Sequence, residues 1–376
     1  MNNQPKVSLL QISLLIITAI GLKNHVTVIP HLLGAAKRDS WVSVGIGLAI
    51  ILCWCFLLSY IHRKTINQNI FHFVEQHTGK LFGRFFSIIV SLVFVLLAAV
   101  TLKEFISWTK VSYLPITPIF LCIILFTILC FLLAITNIQT IVILNTFVLT
   151  AVVVFGFFVA FANIQYKDHT LLKPILEHGF KPVISGTIYP LSGLIELIVL
   201  LFIQQKVHGK MTTKLFLINS VILAGLILGP LMGSLTEFGP YEAARQKYPA
   251  FEQWGLVSLG RFIEHLDFLS IYQWITGAFI RISFFLFLSA EPFTFKSNKK
   301  KITLLAGFSV FLILSNLIPM SDITFYSFIR EFLMPFTFWF FLAISIFLGI
   351  IAAIANKKSR RSQYVQENKK ETYNSK

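Results

Sequence analysis

Apolar residues run along this chain in long blocks, not in strand-like alternation. A helix needs about 20 mostly apolar residues to cross a bilayer. Ten blocks approach or exceed that length: 8–34, 40–61, 85–108, 115–136, 138–162, 183–205, 213–238, 266–289, 302–320 and 329–355. Residues 119–134 are apolar but for Thr127, which argues against the in-and-out pattern of a barrel strand. The pattern predicts an all-α membrane protein of about ten transmembrane helices. It forms one polytopic domain over 1–355, followed by a polar, basic tail over 356–376. Two polar stretches carry apolar stripes. Residues 68–82 read as an interfacial helix before the third block. In 238–273, Leu256, Leu259, Phe262, Ile263 and Leu266 share one helical face, which reads as an amphipathic helix lying on the membrane or over the bundle.

Two blocks are interrupted. The first holds Gly21, Lys23, Asn24 and His25 near its middle, then Pro30; the sixth holds Gly186, Pro190 and Gly193, with Glu196 just after. Glycine and proline weaken a helix. These are blocks one and six, so each opens a five-span half. Interrupted segments at matching positions point to a five-plus-five inverted repeat with broken helices one and six, and to a ligand site at the breaks. Two ordinary kinked helices are the other reading.

Composition agrees with a membrane location. Hydrophobic residues make up 56% of the 376 and charged residues 13%, against about 45–50% and about 25% in soluble chains. The lead before the first block is short and the block is longer than a signal-peptide core, so no cleaved leader is expected. The net charge of +16 would suggest nucleic acid in a soluble chain. Here it divides by side. Nineteen of the 32 Lys and Arg fall on the side that bears both termini, eleven on the other, and Lys23 and Arg281 within blocks. The acids split the opposite way, with Glu196 inside a block. The positive-inside rule then makes both termini cytoplasmic. The charge is an orientation signal and implies no nucleic-acid partner. The tail is a topology anchor or a contact for anionic lipid heads.

The charges inside the blocks need an explanation. Each costs about 2.5–3.5 kcal/mol on insertion scales. Lys23, His25, Glu196 and Arg281 should therefore face the bundle interior, with Glu196 paired to Lys23 or Arg281. Such a pair either fixes helix registry or takes part in ligand binding and proton relay. Lys23 suits a ligand carboxylate; Glu196 suits an ammonium or a coupling cation. The candidate substrate-binding residues are Gly21, Lys23, Asn24, His25, Ser192, Gly193 and Glu196, with Thr101 and Arg281 beside them. No P-loop, H-E-x-x-H or G-x-S-x-G is present. The four cysteines lie in apolar blocks and read as packing residues. An enzyme, a metal and a cofactor are not expected.

One set of residues resembles a known family. Residues 20–30, with Gly21-Leu22-Lys23-Asn24-His25, and Lys37-Arg38-Asp39-Ser40-Trp41 resemble the start of endospore germination permeases, the B-type subunits of spore germinant receptors. Lys103-Glu104-Phe105, Thr117-Pro118 and Leu171-Leu172-Lys173-Pro174 continue the likeness, as do Gly239-Pro240-Tyr241-Glu242-Ala243-Ala244, Tyr248-Pro249, the run 262–268, Ser270–Trp274 and Gly277-Ala278-Phe279-Ile280-Arg281. The resemblance covers roughly 8–355. It implies the ten-span fold of the amino acid–polyamine–organocation superfamily and residence in the inner membrane of a bacterial spore. It also implies A-type and C-type subunit partners and the sensing of a small, amino-acid-like nutrient. Many members carry small residues where Lys23-Asn24-His25 stand, so Lys23 would act here as a built-in cation. Two other functions remain open: an autonomous proton- or Na⁺-coupled amino acid transporter, and a channel-forming or structural subunit with no ligand of its own.

Overall fold

A computed structural model describes residues 6–66, 68–258, 266–295 and 297–374, with side chains described up to 356. Most of the amphipathic stripe expected around Phe262 falls at 259–265, outside the described residues. In chain order the α-helices are α1 (Leu9–Leu22), α2 (Val28–Ala36), α3 (Ser40–Lys64), α4 (Ile70–Thr78), α5 (Lys80–Ser112), α6 (Ile119–Ala134), α7 (Ile138–Ala162), α8 (Phe180–Gly186), α9 (Ile188–Leu194), α10 (Val199–Ile203), α11 (Thr213–Ala243), α12 (Pro249–Gly255), α13 (Leu269–Ala290), α14 (Asn298–Leu317), α15 (Asp322–Ser327) and α16 (Met334–Asn374).

Among the described residues, eight helical runs are long and apolar enough to cross a membrane. The difference from the ten blocks lies in two places. The first run, Leu9–Lys64, is 56 residues long and turns at Lys37, where φ is +48°. The fourth block folds as α6, only 16 residues. The result is an all-α, multi-spanning membrane protein. At the far end, α16 continues as helix through the basic tail to Asn374, a stretch that holds no Gly or Pro after Gly349.

The run Phe180–Lys206, which contains α8, α9 and α10, sits at the centre. Its most apolar window is 94% buried, against 22% for the runs built on α7 and α14. Lipid supplies little hydrophobic drive between helices, so close packing and polar contacts hold them. Small residues mark the close approaches: a Cβ on Gly186 would lie 3.1 Å from Ala36 and from Ser43, and one on Gly47 would lie 3.3 Å from Pro190. Ser43 donates to the Val183 carbonyl at 2.8 Å, Trp54 to Ser345 at 2.9 Å, and Ser91 to the Ser289 carbonyl at 2.7 Å. The central run ends in a polar knot. The Gln204 side chain donates to Thr65 and Gln68, and its oxygen meets His62 Nδ1 at 2.7 Å.

The breaks expected in blocks one and six are changes of pitch. Lys23–Thr27 is a π-helical turn, closed by Val28 N–H to the Lys23 carbonyl. Pro30 cannot donate to the carbonyl four residues back, and Val26 to Ile29 are β-branched, which disfavours tight helix. In the sixth block the helix tightens to 3₁₀ at Ile195–Ile198. Neither segment unwinds, because backbone inside a bilayer must keep its hydrogen bonds. The segment 68–82 is also more buried than an interfacial helix. Ile70, Phe71, Phe73 and Val74 of α4 are buried, and Phe71 packs on Phe86 and Phe202. A chain reversal at Gly79, φ +93°, lays α4 along α5 so closely that a Cβ on Gly83 would meet the Glu75 backbone at 2.6 Å.

Candidate functional site

The π turn sends successive polar side chains in different directions. π turns recur at functional sites because they add a residue to one turn and re-aim its neighbours. Lys23 points to the 3₁₀ turn of the central run. Its Nζ donates to Glu196 Oε1 at 2.8 Å and to the Ser192 carbonyl at 3.0 Å. Arg281 of α13 closes on the same carboxylate from the other side, with Nη1 to Oε2 at 2.8 Å and Nη2 to Oε1 at 3.2 Å. Arg281 also donates through Nε to Thr101 of α5 at 3.0 Å and through Nη1 to the Ala19 carbonyl. Its guanidinium lies 4.5 Å from the Phe285 ring centre. Lys23, Glu196 and Arg281 are 5%, 0% and 2% exposed. Three elements therefore meet at one carboxylate, the π turn, the 3₁₀ turn and α13, and α5 joins them through Thr101 on Arg281.

The expected pairing of Glu196 is thus present with both cations at once. The three residues carry one net positive charge. Glu104 of α5 stands nearby, accepting from Thr27 Oγ1 at 2.7 Å. Glu104 is not among the nine candidate residues. The usable signal was that Glu104 lies inside the window 85–108, where an acid needs the same explanation as Glu196.

Asn24 and Gly193 form a separate contact. Asn24 Nδ2 reaches the Leu223 carbonyl at 3.4 Å. Its Oδ1 lies against Gly193, where any Cβ would collide with it. Gly193→Ala is expected to lower stability by about 1–3 kcal/mol through overpacking. Asn24→Ala in the same chain should return most of that loss. Thermal unfolding of the purified single and double variants measures both. Equal melting of wild type and Gly193→Ala would remove this contact from the account. Ser192 contributes its carbonyl to Lys23, while its hydroxyl donates to the Tyr189 carbonyl at 2.9 Å.

Gly21 and His25 face elsewhere. They line a cavity of about 560 Å³ bounded by α1, α7, α11, α12 and α13. His25 hydrogen-bonds the Leu226 backbone. Tyr248, Phe251, Trp254 and Trp274 also line it. Lys23, Glu196 and Arg281 are not in its wall. The nine candidate residues therefore separate into three groups: Lys23, Thr101, Ser192, Glu196 and Arg281 in the charge cluster, Asn24 with Gly193, and Gly21 with His25 on the cavity. Among the described residues no three His, Cys, Asp or Glu side chains gather as metal ligands.

These features define a class: a polytopic helical membrane protein with a buried charge cluster at its centre and a side cavity on the same helical turn. Residues 6–323 match the family described as spore germination protein. The chain is 37% identical over 354 residues to spore germination protein XB of Bacillus anthracis, covering 94% of this chain and 99% of that one. It is 24% identical over 285 residues to the putative spore germination protein YfkT of Bacillus subtilis (strain 168), covering 75% and 76%. It is 21% identical over 330 residues to spore germination protein A2 of the same organism, covering 82% and 88%. The chain belongs to the spore germination permease family.

Proposed function

We propose that this chain is the permease-like, nutrient-sensing subunit of a spore germinant receptor, and that its ligand occupies the cavity beside Gly21 and His25. One observation carries the reading. Residues 21–27 touch the cavity on one side, through Gly21 and His25, and the charge cluster on the other, through Lys23 and Thr27. A ligand that fits one position of this turn better than another shifts its population. The shift would reach the central run through Glu196 and α13 through Arg281. In this reading the protein lies in the inner membrane of the spore with both termini cytoplasmic. A-type and C-type subunits read the shift. Irregular turns in the first and sixth blocks support a five-plus-five inverted repeat. Cation coupling at Glu196 is less favoured, because both of its oxygens already bind Lys23 and Arg281.

Filling the cavity tests this. Gly225 of α11 lines it, and a Cβ there would have no atom within 4 Å. Gly225→Phe should aim a ring at the cavity from a Cβ that has room, and replacing a helical glycine adds helix propensity. Spores carrying it are expected to lose the nutrient response while the membrane level of the protein is unchanged. An unchanged dose-response in those spores would reject the cavity as the ligand site.

A further inference from the structure

The chemistry of the cavity wall selects among ligands, given the reading that a ligand binds there. Among the described residues no Asp or Glu side chain lines the cavity; its ionisable members include His25 and Lys167. Lys167 is already held, by the Ala160 carbonyl at 3.1 Å and Glu237 at 3.9 Å. A ligand ammonium would lose its water there and gain no carboxylate, which is costly in an apolar site. The wall offers ring faces and flat helix surfaces instead. Trp274 is braced from behind by Trp108, stacked at 4.1 Å, and meets the edge of Tyr248 at 5.0 Å. Gly21, Gly156, Gly225, Gly229 and Gly277 come from four helices; Leu226 packs on Gly21 and Leu22 on Gly277, while Gly225 and Gly229 face open space. Polar side chains at the wall include Thr18, Ser270 and Gln273, which can meet the edge of a ring. Such a wall matches a flat ring with hydrogen-bonding atoms at its edge, since aromatic pairs gain from stacked and edge-on contact. The volume of about 560 Å³ is within the range of small-molecule sites.

We infer that the cavity between α7 and α11 takes an uncharged heteroaromatic molecule rather than a zwitterionic amino acid. This replaces the amino-acid-like ligand that the family resemblance implies.

Three probes share one ring system and differ in charge: indole-3-acetamide is neutral, tryptamine is a cation and tryptophan is a zwitterion. Equilibrium dialysis of the purified full-length protein in nanodiscs gives the affinity of each. Indole-3-acetamide should bind saturably and at least about tenfold more tightly than the other two, and Gly225→Phe should abolish that binding. Tryptophan binding as tightly as the amide would overturn the inference, as would no saturable amide binding up to about 1 mM. So would amide binding that survives Gly225→Phe, or a co-purified lipid that holds the cavity and is lost in that variant. These results leave the proposed site standing or falling on a separate readout, the spore response of Gly225→Phe.

Discussion

Glu196→Gln is expected to remove most of the folded protein from the membrane. Glutamine keeps the shape of the side chain and removes its charge. Lys23 and Arg281 then remain buried within one cluster with no shared counter-ion. Removing one member of a buried ion pair costs about 3–5 kcal/mol. Here two cations lose their partner together, and the whole stability margin of a typical domain is about 5–15 kcal/mol. The immunoblotted level in spore membranes and the melting temperature of the purified variant both report the loss. The loss falls on folding because both carboxylate oxygens are engaged with protein cations. A variant that accumulates and melts like the wild type would show that the cluster does not hold α1, the central run and α13 together.

The membrane character of the chain was legible because bilayer thickness imposes a length that composition cannot hide. The charged residues were legible for the same reason: hydrocarbon makes Lys23, Glu196 and Arg281 conspicuous in any apolar block. Their mutual contact followed, since little else in the bilayer can neutralise them. What the sequence concealed was direction. A break after Gly21 and a π turn at Lys23–Thr27 share the same composition, and only backbone geometry says that Lys23 and His25 part company there. Spacing therefore grouped Gly21, Lys23 and His25 into one site, whereas the fold divides them between two faces of one turn. The aromatic wall was hidden for a different reason. Tyr248, Phe251 and Trp254 stand in or beside α12, in the loop region between spans, and Trp274 in α13. Contacts between segments so far from α1 in sequence leave no local pattern.

Replacing Lys23, Glu196 and Arg281 together by methionine separates the two roles of the cluster. Exchanging a buried ionic group for apolar side chains of similar volume is often neutral or stabilising by about 1–4 kcal/mol. Against that, the Ser192 and Ala19 carbonyls and Thr101 lose a donor, at about 1–3 kcal/mol in all, since Thr101 keeps the Leu97 carbonyl and both carbonyls lie within helices. The terms oppose, so the triple variant should return to near the wild-type membrane level, far above Glu196→Gln alone. Its nutrient response should nonetheless be lost. Methionine packs without fixed direction, so a moving π turn no longer pulls on a defined atom of the central run or of α13. Occupancy of the cavity and movement of those helices become independent. Spores of the triple variant that contain normal amounts of protein and stay dormant in nutrient would place the signal in the charges. Spores that germinate with the wild-type dose-response would reduce Lys23, Glu196 and Arg281 to a staple between helices, and the signal would have to leave the cavity by the Asn24–Gly193 contact instead.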